Sequence, residues 1–268
     1  MLGQPLKKIL RVLIIFLSLS FIIGGYTFLS HRQHQKNPKD KTIPTWSQLK
    51  NGVKKICEKN RRSKKRWIVE DSKASAERLF WGLLWGIIGA IVIGLAIGCF
   101  PFVEAAFAPI LAILAKLPPT AALALFFVML GTGRNMYIGI ILVGILPVLA
   151  QSIFLSIKDI PRELVYKAIT LGASKMELVW NVIVRQILPQ MINAVRLQIG
   201  PALVYLIAAE YACAHIGFGY RLRLQARLVN MDVVYPYLVI LIVFGFLMDW
   251  LLKAIQIKLC KWYHKEGK

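Results

Sequence analysis

Runs of roughly 20 apolar residues alternate with short polar stretches along this chain. Six such runs stand out, at about 9–29, 76–99, 107–130, 136–157, 190–213 and 236–257. Each is long enough to cross a ~30 Å hydrocarbon core as a helix. Backbone N–H and C=O groups in lipid must be satisfied internally, and a helix does this within one segment. The pattern predicts an all-α, polytopic membrane protein with about six transmembrane helices. The first run follows Lys7, Lys8 and Arg11, as the core of a signal peptide would. It is long for that role and no A-x-A site follows, so residues 1–29 read as an uncleaved first span.

Two runs carry internal detail. In the second, Gly82, Gly86, Ala90, Gly94 and Gly98 recur every fourth residue. Such a ridge of small side chains lets another helix approach closely, which is how membrane helices gain dispersion contacts. The third contains Leu117-Pro118-Pro119-Thr120. Two missing backbone donors should kink or break the helix there, and a break at membrane depth must lie against protein or a water-filled cavity.

The polar stretches differ from one another. Between 30 and 75, KNPKDKTIP has the residues of a linker. Trp46, Leu49, Val53 and Ile56 then recur at helical spacing and predict a short amphipathic helix. NRRSKKR is a basic run for solvent or headgroups. The stretch 158–189 reads as helix, glycine turn, helix. Asp159 is placed to cap the first helix, with Pro161 and Glu163 in its first turn and Ile160, Leu164, Val165 and Ala168 as its apolar face. Gly172 tolerates the left-handed conformation that ends a helix. Ser174 and Glu177 form an S-x-x-E capping box for a second helix, which carries Glu177, Asn181 and Arg185 as a polar stripe and ends before Pro189. Placement between spans disfavours a DNA-binding helix-turn-helix. An amphipathic hairpin on the bilayer and a docking element for a cytoplasmic partner both fit.

Composition adds limits. The chain is 57% hydrophobic and carries a formal net charge of +21. With the basic residues in loops and at helix ends, this points to anionic headgroups and not to nucleic acid. Cys57, Cys99, Cys213 and Cys260 have no CxxC spacing, so no zinc or redox pair is indicated, and a Cys57–Cys213 disulfide is the remaining alternative. His31 and His34 read as polar flanks of a span. There is no GxxxxGK[ST], no HExxH and no nucleophile–base arrangement, so no catalytic or metal residues are assigned and ATP chemistry needs a separate subunit. Arg196, Glu210 and Asp249 are charges inside spans, where they either face a pathway or bond helices together. Arg196 and Glu210 are about 21 Å apart along one helix and cannot pair directly.

ELVYKAITLGASKMELVWNVIVRQILP (163–189) resembles the EAA loop of ABC-importer permeases. DSKASAERLFWGLLWG resembles the S-x-x-R helix start of the nitrate, sulfonate and taurine group of these permeases. APILAILAKLPPTAALALFFVMLGTGRN, INAVRLQIGPALVYLIAAE and FGFLMDWLLKAIQIKLCKW resemble further segments of that group, covering about 43–262 in all. The Glu-Ala-Ala of the loop falls on Tyr166, Lys167 and Ala168, and its first proline on Arg185; the second matches Pro189. The resemblance implies the type I ABC-importer permease fold. It assigns ATPase coupling to Glu163, Ala168, Gly172, Ser174, Glu177 and Pro189. No cofactor is expected on this chain, with ATP and Mg on the partner subunit. Implied partners are an ABC ATP-binding subunit, a solute-binding protein and a second copy of the chain, in a lipid bilayer and without nucleic acid. The implied cargo is a small anion such as nitrate, a sulfonate, taurine or bicarbonate. Alternatives are a vitamin-precursor importer and a stand-alone secondary transporter or channel, the latter expected to show matched broken spans.

The resulting organisation is a first span (1–29), a basic extracytoplasmic loop (30–75), a five-helix core (76–257) with a cytoplasmic coupling loop (158–189), and a basic cytoplasmic tail (258–268). Both termini are then cytoplasmic in a bacterial inner membrane. Placing 158–189 inside puts the basic 30–75 stretch outside by parity, against the positive-inside tendency. Arg221, Arg223 and Arg227 are expected to extend that basic outer face.

Overall fold

The computed structural model describes residues 8–38, 40–59 and 64–263. Lys7, Arg61 and Arg62 lie outside the described residues, as does the tail beyond 263. Apart from an isolated bridge between Lys59 and Arg66, the regular structure among the described residues is helical. The chain forms two compact units, Met1–Trp67 with Leu224–Leu238, and Ile68–Arg223 with Val239–Lys268.

The first unit shows that 30–75 is not one loop. Helix α1 (Lys8–Lys36) continues well past residue 29, α2 occupies Trp46–Cys57, and α3 (Trp67–Cys99) begins nine residues before the expected span start. Thr45 and Gln48 form a reciprocal capping box that fixes the start of α2. The Tyr26 hydroxyl of α1 donates to the Pro44 carbonyl at 2.6 Å, and the Trp46 and Tyr235 rings meet Tyr26 edge-on. Gly52 is required by contact: a Cβ there would overlap the Asp232 carbonyl at the start of α11 (Met231–Leu259).

In the second unit, α3 packs on α6 (Arg134–Lys158) through the small-residue ridge. Gly82, Gly86, Ala90 and Gly94 are buried. A Cβ on Gly82, Gly86, Gly94 or Gly98 would meet Ile141, Ile145, Ile153 or Ile157 respectively. Equal steps on both helices mean that they run parallel and in register. Near the other end of this pair Arg134 bonds Glu77 at 2.9 Å. The chain between Cys99 and Arg134 must therefore travel back along about 21 residues of helix, roughly 30 Å, or one hydrocarbon thickness.

It does so as a broken crossing. The run expected at 107–130 as one span is α4 (Pro101–Leu114), a turn, and α5 (Leu123–Leu130). Pro118 and Pro119 cause the break by removing donors, and their carbonyls accept from Ala121 and Ala122 in the turn. Pro119 is buried, packed where Gly144 leaves room beside Tyr205, while Leu117 and Pro118 are exposed, so one side of the break rests on protein. The other five expected spans are single apolar helices of membrane-crossing length, within Ile9–Lys36, Trp67–Cys99, Arg134–Lys158, Lys175–Cys213 and Met231–Leu259.

The fourth of these is longer than expected. Helix α8 (Lys175–Glu177), a π-helical segment (Leu178–Ile183) and α9 (Val184–Cys213) run on as one helix of 39 residues, without a stop before Pro189. Gln256 Nε2 of α11 donates to the Pro189 carbonyl at 3.0 Å and ties the helix laterally at this point. Tyr137 meets Cys213 and Gly144 meets Tyr205, so α9 runs antiparallel to α6. All four cysteines are free, which removes the disulfide alternative.

Gly94→Leu should lower the unfolding temperature of the detergent-extracted protein, because a side chain there meets the Ala150 carbonyl at 2.9 Å and overpacking typically costs ~1–3 kcal/mol. Gly24→Leu, where a Cβ meets nothing within 4 Å, is the control. Thermal melts that show Gly94→Leu as stable as wild type would remove the ridge from the packed interface.

Candidate functional site

One end of the α3–α6 pair carries the hairpin 158–177. Asp159 does not open the first hairpin helix, as expected, but closes α6, its N–H directed to the Leu155 and Ile157 carbonyls. Proline fixes φ, so Pro161 takes the preceding position of α7 (Arg162–Thr170) without a side-chain cap. Gly172, at φ 84°, ends α7 in a Schellman motif: Ala173 N–H donates to the Ala168 carbonyl and Gly172 N–H to the Ile169 carbonyl. Ser174 follows at once, its N–H donating to Glu177 Oε2 at 2.9 Å and its Oγ accepting from the Glu177 N–H. Ala168, Gly172, Ser174 and Glu177 thus form one turn. Glu163 is exposed on α7, and Pro189 lies apart, buried in α9. Around the turn, Leu171 is 87% exposed, Met176 68% and Trp180 59%, beside exposed Tyr166 and Ile169.

Between α9 and α11 lies an open cavity of about 790 Å³. Leu203, Val204, Tyr211, Ile242 and Phe246 make its walls mostly apolar. Its charges are Arg196 and Asp249, joined by a two-point fork: Nε to Oδ1 at 2.9 Å and Nη2 to Oδ2 at 3.0 Å. Asn193 Oδ1 accepts from Nη1 at 3.2 Å. The two intramembrane charges are therefore held as an interhelical pair at the edge of a cavity.

The opposite end from the hairpin holds Glu210, fully buried. Its carboxylate accepts from Ser75 Oγ at 2.8 Å, Arg78 Nη1 at 2.7 Å and the Gly219 N–H at 2.9 Å. A second buried pair sits beside it, with Arg221 donating to Asp71 at 2.8 and 3.3 Å. The turn between α9 and α10 (Phe218–Arg227) is threaded through both: Gly217 N–H donates to Asp71 and Phe218 N–H to Ser75. Gly217 (φ 127°) and Gly219 leave the space that the Glu210 side chain fills. Arg78 also lies over the Tyr137 ring at 4.1 Å and donates to the Ile216 carbonyl.

A profile of the family described as binding-protein-dependent transport system inner membrane component matches residues 82–259. The chain belongs to this family. It is 28% identical over 190 residues to the taurine transport system permease protein TauC of Escherichia coli, covering 71% of this chain and 69% of that protein. It is 27% identical over 197 residues to a putative ABC transporter permease of Methanocaldococcus jannaschii, covering 73% of each. Its fold is similar to that of a chain of the inward-facing MetNI methionine ABC transporter, with a TM-score of 0.64, 19% identity, and coverage of 72% of this chain and 96% of that one. The protein is thus an ABC-importer permease, a multi-pass inner-membrane transport subunit and not an enzyme.

Within this permease the structure keeps Arg196 and Glu210 apart, each with its own partner. Sequence reasoning had the S-x-x-R start and Glu210 as separate features and missed that they bond. The signal was available: Asp71, Ser75 and Arg78 at i, i+4 and i+7 share one face of α3. Gln256 carried no such signal. The expected basic outer face needs correction, since Arg221 is buried against Asp71 and Arg223 donates to the Ala212 and Ala214 carbonyls. Arg227 remains exposed.

Glu210→Ala should destabilise the permease by about 3–5 kcal/mol, since it leaves Arg78 and the Gly219 N–H without their shared acceptor. Arg78→Ala/Glu210→Ala should cost less than the two single changes combined. Unfolding measurements giving strict additivity would separate the two groups energetically.

Proposed function

We propose that this permease imports a small anion, handed to it by a solute-binding protein, with an ABC ATPase docked on the 158–177 hairpin. The observation that carries the docking is the ring of exposed apolar side chains around a rigid turn: Leu171, Met176 and Trp180 expose area that a partner's cleft would remove from water. Glu163 and the Ala168–Gly172–Ser174–Glu177 turn are the coupling residues on this reading, and Pro189 sets the course of the helix behind them. ATP and Mg belong to the ATPase, and this chain binds no cofactor.

Two copies of the chain form the pathway in the bilayer, because one set of helices encloses only part of it. The apolar cavity beside Arg196 and Asp249 borders that pathway, and Glu210 secures its far end. The hairpin and both termini are cytoplasmic, and residues 37–66 lie outside. Support for an anion comes from the similarity to a taurine transport permease and from the basic 37–66 segment, which raises the local anion concentration. A riboflavin transport permease of Chloroflexus aurantiacus, 26% identical over half of this chain, keeps a vitamin-type cargo as the second reading.

Reconstituted with its ATPase and binding protein, the permease should take up nitrate, a sulfonate or bicarbonate in a saturable, ATP-dependent way. Gly172→Val puts a β-branched residue at φ 84° and costs ~1–3 kcal/mol locally. It should abolish stimulated ATP hydrolysis and uptake while the spans stay inserted. Uptake confined to riboflavin or a thiamine-precursor pyrimidine would reject the anion; normal coupling in Gly172→Val would reject the hairpin's role.

Cys57 is exposed on α2 and reports the sidedness. A membrane-impermeant thiol reagent should label it in spheroplasts with an intact inner membrane, with Cys57→Ser as the control. Labelling only after that membrane is opened would invert the proposed topology.

A further inference from the structure

Helix α2 has three faces where a helix on a soluble protein needs two. Gly52 and Ile56 are buried, against the start of α11 in the case of Gly52. At 100° per residue, Trp46 and Val53 lie beside this buried arc on a second, apolar strip. They are 53% and 48% exposed. Lys50, Lys54 and Lys55 form the third arc, directly next to the apolar strip.

The level of this helix is marked by aromatic rings. Tyr26 of the apolar helix α1 meets both Trp46 and Tyr235, the latter from the first turns of the apolar helix α11. Tyrosine and tryptophan gathered at the ends of apolar helices sit at the headgroup level of a bilayer. A polar cavity of about 390 Å³ opens beside them, lined by Gln48, Asn51, Lys54 and Lys55 together with the Glu58 and Asp232 carboxylates. Lys55 pairs with Asp232 at 3.0 Å and Lys54 with Glu58 at 3.6 Å. Acids are nonetheless few, with ten basic residues against two acidic ones between 40 and 66.

We propose that α2 is an interfacial platform that binds the headgroups of anionic phospholipids. Trp46 and Val53 enter the acyl boundary while Lys50 and Lys54 reach the phosphates. The capping box at Thr45 and the Gly52 contact hold the helix ready, so binding needs no folding of the segment. Anionic lipid is favoured over an acidic protein because the exposed strip is apolar, includes tryptophan, and adjoins the aromatic cluster. This inference goes beyond the transport reading and does not depend on the cargo.

The test uses the full chain in phosphatidylcholine nanodiscs containing 25% phosphatidylglycerol, with bromine on the acyl chains of one lipid or the other. Subtracting Trp46→Phe isolates Trp46 from the other tryptophans. Brominated phosphatidylglycerol should quench Trp46 at least twofold more than brominated phosphatidylcholine at equal mole fraction. A lysine near an anionic surface contributes about fivefold in local occupancy, so Lys50→Gln/Lys54→Gln should remove the excess. Lys50→Arg/Lys54→Arg should keep it. Equal quenching by both lipids, or an excess that survives the glutamine variant, overturns the proposal. So does an unquenched Trp46 with Lys50 and Lys54 shielded from acetylation only in the assembled transporter, which assigns the face to a protein partner.

Discussion

The contact between α3 and α6 organises the core of this permease. Parallel helices in a membrane require that the chain cross back between them, and they must lie close enough to exclude lipid. Glycine at four of five successive turns of α3, with Ala90 at the remaining one, provides the closeness, and isoleucine at matching turns of α6 fills the groove. The return crossing then has only the space left beside α6 and α9, which is where the broken α4–α5 segment lies. Gly144 makes room for Pro119, which seats the break against α6 and α9. Dispersion across one helix pair thereby fixes the direction of three consecutive passes.

Charge acts at two separate levels of the same frame. Midway along the long helix, the Arg196–Asp249 fork joins α9 to α11 with an open cavity on one side. Toward the opposite end, Glu210 and Asp71 draw Arg78, Arg221 and the 216–219 backbone into one buried network. Buried carboxylates are costly alone, and here the donors come from α3, α10 and the turn between. The sharp corner after α9 is thus held by polar groups at a place where small residues leave no bulk for apolar packing.

Most of the helix frame was legible from the chain. The positions of the apolar helices, the Gly172 turn and the Ser174–Glu177 box follow from local rules of hydropathy and capping, and they hold, while several helix ends do not. Errors fell where tertiary contact overrides a local signal. Pro189 looks like a terminator, but the helix runs through it, buried and tied to α11 by Gln256. Asp159 looks like a cap, but Pro161 imposes the helix start. Arg221 looks like surface charge, but its partner Asp71 is 150 residues away in sequence. Pairings at such separations leave no mark in a single chain, whereas the shared face of Asp71, Ser75 and Arg78 could have been read.

The unbroken helix from Lys175 to Cys213 has a mechanical meaning. At 1.5 Å per residue it is a strut about 58 Å long. Its first residues belong to the hairpin turn, its middle carries Arg196, and its last turns carry Glu210. On the docking reading proposed above, an axial push at Ser174 would load the cavity-edge fork and the buried corner through one column, with no loop between them. The helix backbone departs from regular α-helix at the π-helical segment Leu178–Ile183, next to the hairpin end, and lacks N–H donors at Pro189 and Pro201.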